Sequence, residues 1–400
     1  IERRFPMTHH HIVIAGGGSA GISVAARLKN ADPTLDIAII EPSKHHYYQP
    51  LWTMVGGGVV TPEQTRRPEA EYIPKGVAWI SESVREFKPD SNSVVIADGT
   101  EVTYDFLVVA LGIQLDWGKI EGAEAALNTP GVCSNYTYAT AGNTWKYLQE
   151  IHEGNLVFTF PSTPIKCAGA PQKIMYLADD HLRRRGVRPK TKIHYGSAAA
   201  AIFGVKHYRE ALEPIVKRKE ILTHFRHDLV AVRPKSKEAV FHHLDEKREV
   251  ILPYDFLHLV PPQSAPDVVK SSPLSDAAGW VSVEKYSLQH VRYSNVFSLG
   301  DNSSLPTSRT GAAIRKQAPV LVENLLAIRG GNSPISRYDG YASCPLVTGY
   351  GSLILAEFDY DGKPQESFPF DQTVERYSMY AMKVYALPEL YWNGMLRGRA

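Results

Sequence analysis

Cys167 stands in the run Pro161-Ser162-Thr163-Pro164-Ile165-Lys166-Cys167-Ala168-Gly169-Ala170-Pro171, ahead of a helical pattern from Gln172 to Arg185. Lys166 is beside it and Lys173 lies six residues on. A thiol near a helix N-terminus and two ammonium groups suits a thiolate nucleophile: unperturbed, with a pKa of about 8.5, it is only a few per cent ionised at pH 7, and such surroundings lower that value. An inert cysteine buried near a turn fits the spacing equally well. Cys133 and Cys344 are too distant for a disulfide framework, and no Cys-x-x-Cys or His-x-x-x-His spacing occurs, so no metal site is expected. The run His9-His10-His11 reads as the polar start of a strand. The pairs His45-His46 and His242-His243 read as surface or loop residues, because neighbours on a strand point apart.

A second constellation lies near the start. An apolar β-branched run, His11 to Ala15, leads into Gly16-Gly17-Gly18-Ser19-Ala20-Gly21 and then a helical stretch from Ile22 to Lys29. In this strand, turn and helix, Gly16 allows the tight turn, Gly18 lets a pyrophosphate approach the backbone, and Gly21 lets helix and strand pack closely. The helix N-terminus then faces the phosphates. A further strand, Asp36 to Ile40, ends in Glu41, 20 residues after Gly21, where a carboxylate can accept from a ribose hydroxyl. FAD and NAD both use such a site. Two later segments favour FAD by resemblance: Tyr104 to Gly112 resembles the strand with which flavoprotein reductases leave their first domain, and Asn295 to Asp301 their late strand, whose Gly-Asp implies a carboxylate on the flavin's ribitol chain. Where a second glycine fingerprint would dock NAD(P)H, after the strand Asn155 to Phe160, the proline-rich run with Cys167 stands instead. Tyr195 to Gly204 offers small residues but no Gly-x-Gly.

These elements outline the architecture: α/β, with two Rossmann-like, doubly wound domains and a C-terminal membrane-associating segment. Residues 1–115 would form the first part of the FAD domain, interrupted by hairpin strands around Val77 to Glu101 with a turn at Asp98-Gly99. Residues 116–262 would form the second nucleotide-type domain, 263–330 the second part of the FAD domain with a helix near Pro319 to Ile328, and 331–400 a C-terminal region. There, Thr373 to Leu387 reads as an almost wholly apolar helix broken by Pro388, followed by a short segment from Glu389 to Arg397. Its Tyr391 and Trp392 with Arg397 and Arg399 suit a bilayer interface; a dimer contact or a lid suits them too. Forty-four basic and 42 acidic residues leave a charge of +2, which gives no field for nucleic acid. No apolar run approaches the roughly 20 residues of a spanning helix. The opening at Ile1, with Arg3 and Arg4 near, fits a processed start.

Four stretches then resemble one family: PIKCAGAPQKIMYL at 164–177, SCPLVTGY at 343–350, HHYYQPLWTMVGGG at 45–58 and FPFDQTVERYSMYAMK at 368–383 are similar to the sulfide:quinone oxidoreductases of the mitochondrial type. The likeness runs from about His11 to Arg397, and its cysteine motifs are far more specific than the glycine motif. The resemblance implies that Cys167 and Cys344 form a redox pair, joined directly or through a bridging sulfur. Cys344 would keep sulfane sulfur as a persulfide, and Cys167 would face FAD and pass it two electrons. Ubiquinone would take the electrons, and glutathione or sulfite the sulfur. The resemblance also implies cofactor contacts: Gly16, Gly18, Ser19 and Gly21 at the pyrophosphate, Glu41 at the ribose, Gln49, Val84 at the adenine, Gly112, Asp301 at the ribitol, and Arg309, Thr310, Gly311 and Ala312 at a helix start near the flavin ring. Lys173 and Lys383 would hold thiolate or quinol charge. It further implies a peripheral place on the mitochondrial inner membrane and is compatible with a homodimer. Two features depart from the family: Arg315 and Lys316 put cations into a flavin-proximal helix, and Cys133, expected to be unreactive, has no counterpart. The alternatives are a type II NADH:quinone oxidoreductase-like flavoenzyme, which needs a second glycine fingerprint, and a catalytically inactive flavin-bearing binding protein.

Overall fold

The computed structural model describes residues 7–400, so the opening with Arg3 and Arg4 lies outside the described residues. Ile12 to Ala15 are fully buried, as a strand covered on both faces requires, and Met7–Ala15 takes the centre of a seven-stranded sheet. From one edge the order is Val77–Ile80, Ile37–Ile40, Met7–Ala15, Glu101–Val109, Ser93–Ile96 and Val84–Lys88, with Val296–Ser298 also pairing Glu101–Val109. Val77–Ile80 is not a hairpin strand as expected from the sequence. It pairs parallel with Ile37–Ile40, and the antiparallel hairpin is confined to Val84–Lys88 and Ser93–Ile96. Helices Ser19–Ala31 and Gly311–Arg329 pack together, and Thr310 caps the latter by accepting from the Ala313 amide at 3.1 Å. That helix begins well before Pro319 and carries the proline inside it.

The chain then builds a second, five-stranded parallel sheet in the order Val132–Cys133, Phe256–His258, Gly154–Phe160, Thr191–Ser197 and Ile221–Phe225. An antiparallel meander of His227–Arg233, Glu238–His243 and Arg248–Pro253 follows it. The two doubly wound sheets expected from the sequence are thus present. Helix Ala170–Arg184 connects two strands of the second sheet, and the hairpin Ala342–Gly349 with Ser352–Phe358 packs on it.

The C-terminal region differs from expectation in a way that matters for the site. Asp371 accepts from the backbone and side chain of Thr373, a local turn that delays the helix to Tyr377. Pro388 does not break it. The helical path continues as Tyr377–Ala381, Met382–Ala386, Leu387–Glu389, Leu390–Gly394 and Met395–Arg397, and the second and fourth pieces have wide i to i+5 turns. Such turns accommodate a residue that lacks an N–H and whose ring crowds the preceding turn. No helix among the described residues is long and apolar enough to cross a membrane.

Candidate active site

The parallel strand Gly154–Phe160 delivers its chain at Pro161 to a loop that ends in Cys167, and strand Ala342–Gly349 carries Cys344 to the same place. The two sulfurs, 177 residues apart in sequence, lie 3.9 Å from one another. A direct bond needs about 2.0 Å, so these thiols are unbonded, though close enough that a small shift would join them. Cys344 is buried and Cys167 half-buried. Cys167 holds a left-handed backbone, φ +51°, fixed by its amide on the Arg309 carbonyl at 2.8 Å and by its carbonyl under the Ala170 amide at 2.8 Å.

One proton serves both sulfurs. A hydrogen bond from the Cys344 thiol, then the ammonium of Lys173 and the charge of Lys383, hold Cys167 well below the ordinary thiol range against the opposing effect of burial. The same shared hydrogen bond, reinforced by burial, pushes Cys344 well above it. Lys173 Nζ donates to Cys167 Sγ at 3.2 Å. Burial alone would lower the pKa of Lys173, but the two sulfurs raise it overall. Lys383 donates to the Pro50 carbonyl at 2.9 Å, and burial and Lys173 lower its pKa to about 7. Lys166 does not serve Cys167 as its adjacency suggested. Its Nζ turns away, to Gln49 Oε1 at 2.7 Å and the Tyr136 carbonyl at 3.2 Å.

The glycine turn has two kinds of glycine. A Cβ on Gly16 would lie 2.3 Å from the Ala110 carbonyl, and one on Gly21 would lie 1.8 Å from the Gly16 carbonyl, so these two let strand and helix approach. A Cβ on Gly18, Gly112 or Gly311 would meet nothing within 4 Å, which leaves an open cradle walled by backbone. Glu41 closes one side, accepting from the Gly17 amide and the Ser43 amide, each at 2.8 Å, and burial raises its pKa. Gly112 donates to Asn302 Oδ1 at 3.2 Å, beside Asp301. Burial raises the pKa of Asp301, with Arg309 and Lys166 opposing. Arg309 Nε donates to the Asp301 carbonyl at 2.9 Å, while its guanidinium lies 3.9 Å from the centre of the Trp280 ring. The cradle is open where phosphates need backbone and carries carboxylates where sugar hydroxyls need acceptors, so these residues fit a dinucleotide. Its far end, Arg309 and Thr310 with Gly311 and Ala312, adjoins Cys167 through the Lys166–Arg309 bridge. Val84 opens its strand half-buried, packed against the main core.

Other expectations fare differently. Cys133 is buried and its thiol is pushed up to about 12 by burial. Ala313, Ile314 and Gln317 are buried, whereas Arg315 is half-buried and Lys316 is exposed, 5.6 Å from the Tyr341 ring. His46 is not a surface residue. It is buried, 3.0 Å from Glu69 and 2.5 Å from the Tyr391 hydroxyl. Nothing in the sequence pointed to Glu69, and Tyr391 and Trp392, read there as suited to a bilayer interface, are buried instead, with partners 23 to 372 residues distant. His9 and His11 reach Asp105 at the exposed strand start, with ligand atoms within 4.8 Å of one another. Of the C-terminal apolar residues, Met379, Val384, Trp392, Met395 and Leu396 pack inward, and Val374, Tyr377, Tyr385 and Leu390 are exposed.

Residues 10–151 match the pyridine nucleotide-disulphide oxidoreductase family. The chain is 49% identical over 391 residues to the mitochondrial sulfide:quinone oxidoreductase of Mus musculus, covering 98% of this chain and 87% of the relative. It is 47% identical to the mitochondrial enzyme of that name from Dictyostelium discoideum, covering 97% and 86%. The crystal structure of the sulfide:quinone oxidoreductase from Aquifex aeolicus superposes with a TM-score of 0.84 at 22% identity, covering 98% of this chain and 92% of the other. With two thiols brought together beside a dinucleotide cradle and this likeness along nearly its whole length, the chain belongs to the sulfide:quinone oxidoreductases, a family of flavin-dependent oxidoreductases.

Proposed function

We propose that this protein oxidises hydrogen sulfide at Cys167 and Cys344, holds FAD in the glycine-turn cradle and passes two electrons to ubiquinone. The observation that carries the reading is the pair of thiols 3.9 Å apart, one made the better leaving group by Lys173, at the end of the cradle. With the pair oxidised as a direct disulfide, hydrosulfide attacks Cys344 Sγ, which is bonded to Cys167. That bond breaks, Cys344 keeps the new sulfane sulfur, and Cys167 departs as a thiolate held by the Lys173 ammonium. A small thiophile, glutathione or sulfite, removes the sulfane sulfur. The two cysteines then give up two electrons and return to their oxidised, bonded state. The cofactor supplies a two-electron sink and relay to the quinone. Asp301, Arg309 and Thr310 hold its ring end, Gly112 and Gln49 flank it, and Gly16, Gly18, Ser19, Gly21, Glu41 and Val84 hold its nucleotide end.

The loop that carries Cys167 stands where a nicotinamide nucleotide's phosphates would otherwise be cradled, which disfavours an NADH:quinone oxidoreductase. An intact charge arrangement at the sulfurs disfavours an inactive binding protein. Exposed Tyr377, Tyr385 and Leu390 on the C-terminal helix support peripheral attachment to a bilayer, the mitochondrial inner membrane by analogy with the named relatives, where a lipid-soluble quinone resides. The test is anaerobic. Sulfide should bleach the oxidised flavin absorbance, and a short-chain quinone should restore it. Bleaching by NADH but not by sulfide would overturn the reading.

A further inference from the structure

A buried chain of hydrogen bonds joins the C-terminal helix to the glycine turn through residues the sulfur chemistry does not use. Glu69, 1% exposed, accepts from His46 Nδ1 at 3.0 Å. His46 Nε2 lies 2.5 Å from the Tyr391 hydroxyl, which lies 2.6 Å from Ser19 Oγ in the first turn of the helix after Gly18. The other Glu69 oxygen, Oε1, is buried without a hydrogen-bond partner, 2.8 Å from where a side chain on Gly17 would begin. Around this chain the end of the helix is fastened down. Trp392 packs on His46, Tyr48 and Tyr72 and takes the Arg67 guanidinium at 4.5 Å from its ring centre. Asn30 donates to the Arg397 carbonyl at 3.0 Å, and Arg27 to the Ala400 carbonyl.

The same helix places Lys383 at the sulfurs, eight residues earlier. In a regular helix of 3.6 residues per turn, positions i and i+8 stand about 80° apart. The wide turns at Met382–Ala386 and Leu390–Gly394 rotate less per residue, so Lys383 and Tyr391 both face inward.

We propose that Tyr391 is a positioning residue for FAD: through Ser19 the C-terminal helix clamps the pyrophosphate end of the cofactor, as it meets the sulfur end through Lys383. This rests on the reading of the glycine turn as an FAD site. The contact geometry supports it, because the Tyr391 hydroxyl meets Ser19 Oγ beside the open backbone at Gly18. Glu69 can only accept, so His46 donates from Nδ1. If Nε2 accepts from Tyr391, then Tyr391 consumes the Ser19 proton and leaves nothing for an anion. If Nε2 donates instead, Tyr391 donates to Ser19, and Ser19 keeps its own proton for an anionic group at the turn.

The experiment uses the flavin-loaded protein and follows release by the rise of free-flavin fluorescence after dilution. Tyr391→Phe and Ser19→Ala should each release flavin about five- to tenfold faster than the parent, the effect of one lost hydrogen bond to a charged group. The double variant should be no faster than either single one, because both break the same chain. Release at the parental rate in Ser19→Ala, which also serves if Tyr391→Phe does not fold, would overturn the clamp, as would strictly additive effects. Mass spectrometry of the released cofactor separates the two claims: a cofactor other than FAD, or none, overturns the FAD reading and the clamp with it.

Discussion

At Cys167 and Cys344 the chemistry depends on where one proton rests. The shared hydrogen bond with Cys344 sets the bias first, and Lys173, the cation in direct contact with Cys167, reinforces it. In the reduced protein, alkylation of Cys167 should proceed well below the usual thiol range. Lys173→Met should move that pH profile upward, slowing alkylation at pH 7 about tenfold while leaving the rate at high pH intact. Cys344→Ser should abolish sulfide-dependent bleaching of the flavin, and full retention of the rate in a stopped-flow trace would sink the mechanism. Of this pair, residue spacing showed a thiol that could be activated but not which lysine activates it, and Lys173 was singled out by family likeness. Lys166, adjacent in the chain, points to Gln49, and Lys173 reaches the sulfur because six residues of turn and helix bring it round.

Among the elements, the glycine turn was the most legible, because backbone approach leaves a composition that few other needs produce. Its glycines nevertheless have separable duties. Gly18→Val fills the cradle without touching protein, so the variant should fold, melt within about 3 °C of the flavin-free parent and lack bound flavin. Gly21→Val drives a side chain into the Gly16 carbonyl and should cost about 3 kcal/mol or prevent folding; thermal melts of both variants decide the matter. The C-terminal helix was the least legible. Hydrophobic periodicity presumes a fixed residue count per turn and treats proline as a stop, and neither holds across Met382–Gly394. The burial of His46 was illegible for another reason: its partners come from elements remote in the chain. Lys383 gives this helix a pH signature. Its folded pKa of about 7 lies below its unfolded value near 10.4, so the unfolded chain binds more protons between those limits and stability rises with pH across them. Lys383→Met should therefore melt higher than the parent at pH 7, and calorimetry should show the gap closing as pH approaches 10.

On the scale of the whole molecule, two doubly wound sheets and a returning strand bring a cysteine from the second sheet and another from a late hairpin to the end of a cradle on the first. The fold class followed from the alternation of apolar strands and helices. The meeting of the cysteines came from family likeness, since no local pattern encodes a contact across 177 residues. The outward side chains of the C-terminal helix set the remaining expectation. Tyr385→Ser combined with Leu390→Ser should weaken co-sedimentation with phospholipid vesicles about tenfold while sulfide still bleaches the flavin in solution. Unchanged sedimentation would mean that another surface meets the bilayer. Ser19 and Tyr391, which touch in the folded protein, are 372 residues apart along the chain. At a synthesis rate of about 5–20 residues per second, the nascent glycine turn leaves the ribosome roughly 20 to 70 s before the tyrosine that will close on it. The contact that closes on the glycine turn is therefore among the last the chain can make, and a chain cut short before Tyr377 would lack it.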